Sequence, residues 1–175
     1  MLDGPVIQLL QHPSPDFRFS RLIPAVYNHH EGVPATPQPP FELIEHTADA
    51  GIVAHGTTLA ELFANAAAGM FSLMVAPETV RSDVRREITV EARNVEGLLV
   101  SWLAELLFYV DAEEFVFGRF DVSRIDEQHV AATAFGEPIN PERHELRLGV
   151  KAVTRHMLDV SREEDGYSAT VLFDI

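Results

Sequence analysis

The chain contains no cysteine, which excludes disulfides and thiolate zinc sites and leaves only oxygen or imidazole to hold any metal. It is also short of basic charge: 13 Lys and Arg stand against 27 Asp and Glu, a formal net charge of -14. Salt-driven binding to a phosphate backbone needs cations that displace counterions, so direct, strong nucleic-acid binding is not expected. A surface of this sign attracts cations or a basic protein, and it also keeps a domain in solution. No apolar run approaches the roughly 20 residues that cross a bilayer, and the amino terminus lacks a basic segment followed by an apolar one and a small-residue cleavage site. The expectation is a soluble, cytoplasmic chain without a membrane partner. Signatures of catalysis are missing as well: there is no His-Glu-x-x-His, no Gly-x-Ser-x-Gly and no phosphate-cradling glycine loop. An independent enzyme is therefore not expected.

What is present is an ordinary globular balance, 46% hydrophobic and 23% charged over 175 residues, enough for one domain with a sizeable core. Residues 1–40 hold eight of the eleven prolines and show no sustained periodicity, which predicts a flexible extension. The domain proper is expected over 41–175.

Short runs from Phe41 to His46 and from about Gly51 to His55 predict two strands or one interrupted strand pair. Thr58-Leu59-Ala60-Glu61 is a Ser/Thr-x-x-Glu box that starts a helix. Leu59, Leu62, Phe63, Ala66, Met70, Leu73 and Met74 then recur at helical spacing until Pro77. Val84, Arg86, Ile88, Val90 and Ala92 share one parity, the mark of a strand with one wet face and Arg86 as its exception. Asn94 is an N-cap for a second helix, in which Leu99, Trp102, Leu103, Leu106 and Val110 line one face. Trp102 reads as a core residue. Strands are then expected over Phe115 to Ile125, His129 to Phe135, Leu146 to His156, Met157 to Ser161 and Tyr167 to Phe173, with Asp165-Gly166 marking a tight hairpin. The order predicts an α+β fold: two helices packed on a largely antiparallel β-sheet, a single compact domain with an N-terminal extension.

The chemistry concentrates at His46-Thr47-Ala48-Asp49 and at the closing Asp174-Ile175. An Asp just after a strand either accepts hydrogen bonds from backbone N–H groups two residues on or offers both oxygens to a cation. If the last strand lies near the Phe41 strand, Asp49 joins the Asp174 side chain and the α-carboxylate of Ile175. Carboxylates held this close repel and call for a proton or a cation. Calcium or magnesium suits such an all-oxygen site, with His46 in support. His144, Lys151 and His156 are further candidates, either as the wet face of a strand or as a functional Lys flanked by imidazoles.

Four stretches in fixed order carry a resemblance. They are Phe41 to Gly56 with its His-Thr-Ala-Asp, LAELFANAAAGMFSLM from Leu59 to Met74, GEPIN, ERHEL and KAVTRH between Gly136 and His156, and the closing VLFDI. Together they make Phe41 to Ile175 similar to the archease family. Ala50 departs from the branched aliphatic usual there, and Arg155 and Met157 depart around His156. The resemblance implies a small cytoplasmic activator, not itself an enzyme, of an RtcB-type RNA-splicing ligase. That ligase joins RNA ends in tRNA splicing and RNA repair, using GTP and a divalent metal, and the activator promotes its guanylylation and multiple turnover. The resemblance also implies a divalent cation, calcium before magnesium or manganese, held by Asp49, Asp174 and Ile175. The alternative from a different class is a chaperone-like protein-binding module. A third, a metal-dependent phosphoesterase built on His46, Asp49 and Asp174, predicts hydrolysis without any ligase.

Overall fold

The computed structural model describes residues 38–45 and 50–175. The proline-rich stretch up to residue 37 and the His46 to Asp49 connection, on which two expectations rest, lie outside the described residues.

Two strands open the fold, β1 (Phe41–Glu45) and β2 (Ala50–Gly56). Helix α1 (Leu59–Met74) follows, its N-cap Thr58 accepting from the Glu61 N–H at 3.1 Å. The Glu61 carboxylate reaches back one residue further than in the usual box. It accepts from the N–H of Thr57 at 2.8 Å and from its hydroxyl at 2.6 Å, and the Thr57 hydroxyl and N–H draw the Glu61 carboxyl below its ordinary pKa.

β3 (Val84–Glu91) leads to α2 (Val95–Glu113), whose N-cap Asn94 accepts from Gly97 N–H at 3.0 Å. Then come β4 (Phe115–Ile125), β5 (His129–Pro138), the two-residue β6 (Ala152–Val153), β7 (Asp159–Glu163) and β8 (Gly166–Asp174).

Among the described residues all strand pairs are antiparallel, and they form two sheets instead of one. The first runs β1-β2-β8-β6 with β7 also on β8; the second runs β3-β5-β4. Helix α1 packs on β1, β2 and β8 of the first sheet and on β4 of the second, so its apolar face seals both. Gly69 permits this approach, since a Cβ there would stand 3.2 Å from both Ile52 and Phe41 side-chain atoms. Helix α2 covers β3, β4 and β5 and also meets β6 and β7 of the first sheet. Trp102 is fully buried and its indole Nε1–H donates to the Phe63 carbonyl at 3.1 Å, which ties the helices together.

The strand expected over Leu146 to His156 is mostly absent. Only Ala152–Val153 pair as a strand, and Leu146 makes a single bridge to Val75. The segment's N–H groups go elsewhere: Arg147 N–H donates to the Met74 carbonyl at 2.8 Å and Leu148 N–H to that of Leu73 at 3.0 Å. Arg147 Nη1 takes the Ser72 carbonyl at 3.1 Å, and Val75 N–H takes that of Phe71 at 2.9 Å. The carbonyls of Ser72, Leu73 and Met74, left open by the last turn of α1, are thus all filled by this strap, and Arg147 supplies a cation where the last turn itself has none.

The strand expected from Met157 begins instead at Asp159. Met157 has φ 53°, a left-handed turn that breaks the extended run. The strand expected to stop at Phe135 continues to Pro138, which carries Glu137 into the structure at a strand end.

Candidate functional site

Strand β8 positions the carboxylate end of the chain. Ala169, Val171 and Phe173 face the core and are essentially inaccessible, so the period of two turns Thr170, Leu172 and Asp174 the other way. Asp174 is exposed at the last position of β8, and Ile175 is half-buried against the core. On one side of β8 the register sets Ala50 opposite Phe173. Ala50 is the residue that follows Asp49 in the chain. On the other side Ala152 stands opposite Asp174.

Lys151 joins the same edge. Its main-chain N–H donates to the Asp174 carbonyl at 2.8 Å, and its side chain is exposed. Thr154 N–H holds the Leu172 carbonyl at 3.0 Å, and the exposed His156 follows two residues later at a turn.

His144 lies in a different setting. Its side chain is fully inaccessible, and both ring nitrogens are taken, one by the loop that carries it and one by the end of β5. Asn140 N–H donates to Nδ1 at 3.0 Å, so the hydrogen sits on Nε2, which donates to Glu137 Oε1 at 3.1 Å. Glu137, only 5% exposed, is the centre of this cluster. Its carboxylate accepts a two-pronged contact from Arg143, Nη1 at 2.5 Å and Nη2 at 2.6 Å, and the Arg81 N–H at 2.6 Å. The Arg143 fork holds the carboxyl down to about 2 against the opposing effect of burial, with the Arg81 N–H and the His144 ring in support. The same pairing raises Arg143 further above its already high value.

Glu137 and Arg143 have no role that the sequence alone makes legible. The available signal was an acid between Gly and Pro at a strand end, answered six and seven residues later by Arg and His.

His46 and Asp49 lie outside the described residues. Among the described residues no group of three or more His, Asp or Glu side chains is placed to hold a metal ion. The donors at the β8 edge, the Asp174 carboxylate and the main-chain oxygens beside it, are hard oxygen ligands of the kind calcium and magnesium take. The set fits such an ion only if Asp49 completes it.

A small α+β sandwich with an acidic strand end beside the start of its second strand defines the class of protein. The comparisons give the family. A family model described as "Archease protein family (MTH1598/TM1083)" matches residues 41–175. The archease of Methanosarcina acetivorans is 39% identical over 139 residues, 77% of this chain and 95% of that one. That of Sulfolobus acidocaldarius is 38% identical over 136 residues, 77% of this chain and 98% of that one. The chain belongs to the archease family.

Among solved structures, the solution structure of Methanobacterium thermoautotrophicum protein 1598 is 42% identical with a TM-score of 0.64, covering 78% of this chain and 99% of that one. A Thermotoga maritima crystal structure, described as an archease and possible chaperone, shares the fold at 19% identity with a TM-score of 0.54, covering 85% of this chain and all of that one. No described helix is long and apolar enough to cross a membrane.

Proposed function

We propose that this protein is a non-enzymatic activator of an RtcB-type RNA-splicing ligase, promoting its GTP-dependent guanylylation and repeated turnover in tRNA splicing or RNA repair. The observation that carries the reading is the β2–β8 register. Phe173, which precedes Asp174 in the chain, pairs with Ala50, which follows Asp49 in the chain, and this pairing supports a site shared by the two motifs. Asp49, Asp174 and the carboxylate of Ile175 would hold a divalent cation, calcium before magnesium or manganese, with His46 in support. Such an ion would supply positive charge at an otherwise acidic tip and a point of attachment for oxygen ligands of a partner. Lys151, tied by its backbone to Asp174, would add a cation that does not depend on the metal. The net charge of -14 favours a protein partner over RNA as the direct contact.

The test is the rate of guanylylation of a cognate ligase with and without this protein. Stimulation by the wild type and its loss in Asp174→Ala is the expected outcome; an unchanged rate on adding the wild type contradicts the reading.

A second reading, a chaperone-like binding module, takes its support from the description attached to the Thermotoga protein. It predicts suppression of aggregation of unrelated clients, undiminished in Asp174→Ala.

A further inference from the structure

The strap between His144 and Lys151 is held in an unusual way. Leu146 and Leu148, its two large apolar residues, are 51% and 42% exposed, and Val150 is its one fully buried side chain. Little hydrophobic burial fixes its path. Its main chain is fixed instead at three places: Ala76 N–H donates to the Glu145 carbonyl at 3.0 Å, Arg147 and Leu148 hold the end of α1, and Lys151 N–H holds Asp174. Upstream the strap starts from a segment locked by charge. His144 N–H and Arg143 N–H both donate to the Asn140 carbonyl, at 2.7 and 3.0 Å, and Arg143 Nη1 also takes the Thr79 carbonyl at 3.1 Å. The Glu137 carboxylate gathers Arg81, Arg143 and His144 onto one buried point.

We infer that Glu137, Arg143 and His144 are positioning residues that set where the strap begins, and through it hold Lys151 against Asp174 at the carboxylate edge. None of the three has a hydrogen bond or ion pair to the described residues of that edge. Six residues separate His144 from Lys151, and Val150 is the one buried side chain among them that would resist a change of register if the start of the strap moved. Buried carboxylates with every acceptor site filled hold a loop in one arrangement, and losing one partner leaves the remainder unpaired. The link to function rests on the ligase-activator reading of the edge; the link from cluster to strap does not.

The test uses the full chain and the variant Glu137→Gln, followed by residue-resolved amide hydrogen exchange and by calcium titration. Exchange at Arg147, Leu148 and Lys151 should rise by about tenfold or more, while the central β2 and β8 amides of Ile52 and Val171 stay protected. Calcium affinity should fall several-fold in the same variant. A uniform rise that includes Ile52 and Val171 would mean that the cluster only stabilises the fold, and would overturn the inference. So would unchanged exchange at Lys151, or a selective rise with calcium affinity intact. If Glu137→Gln does not fold, Arg143→Lys keeps the charge, removes the fork and should give the same pattern at smaller size. A wild type that binds no calcium would count against the functional reading alone, and the exchange pattern would then decide the positioning role by itself.

Discussion

Lys151 and Asp174 are 23 residues apart in the chain, yet the N–H of one donates to the carbonyl of the other at 2.8 Å, across from the residue pair Ala50 and Phe173. That bond uses only main-chain atoms, so it separates what the Lys151 side chain does from what its backbone does. Lys151→Ala should leave stability within about 0.5 kcal/mol, as for an exposed surface change, and should lower stimulation of ligase guanylylation. Thermal unfolding and the guanylylation rate measured on one preparation check both halves. Full stimulation by the variant would remove the side chain from the proposed mechanism.

Glu137 makes a prediction about acid. Its folded-state pKa, about 2, lies below the usual 4.5, so the stability it contributes is complete above about pH 4.5 and is lost as pH falls toward 2. Glu61 and Asp126 are also depressed, and the informative quantity is therefore the difference between wild type and Glu137→Gln. That difference should be constant above pH 5 and shrink steadily below it in urea unfolding curves. A difference independent of pH down to 2.5 would contradict the assigned network.

Trp102 links the helices through a single polar contact. Trp102→Phe removes the indole donor to the Phe63 carbonyl and some ring volume, at an expected cost of about 2 kcal/mol from the lost bond and the small cavity. Chemical denaturation reports it as a lower midpoint with an unchanged slope.

The cap of α1 is an independent check on local structure. Thr58→Ala deletes the acceptor for Glu61 N–H and should cost about 1 kcal/mol. Glu61 keeps its bonds to Thr57 in that variant, so the loss should be smaller than that of Thr58→Ala combined with Glu61→Ala.

Much of this fold was legible because its periodicities are long. Helix α1, the alternation of β3 and the inward set Ala169, Val171 and Phe173 all follow from spacing alone. Even Arg86, the exception on β3, is explained by neighbours: it pairs with Glu113 at 3.0 Å and its guanidinium lies 5.0 Å from the centre of the Phe115 ring. The strap was not legible, because Leu146, Leu148 and Val150 alternate as a strand does while the N–H groups of Arg147 and Leu148 serve the end of a helix far away in sequence. Nor was the division into two sheets, both of which each helix contacts. At the site, the motifs named the residues of the β8 edge, but what His144 contacts depends on Glu137, which only the extension of β5 to Pro138 brings into place.

The account turns on whether Asp49 and Asp174 serve one cation. Calcium binding by titration calorimetry to the wild type, Asp49→Ala, Asp174→Ala and the double variant tests this most directly, because a shared site makes the losses non-additive. The account predicts that each single substitution removes most of the affinity and that the double variant is no worse than either. Two independent losses that add, or undiminished binding in either single variant, would contradict it.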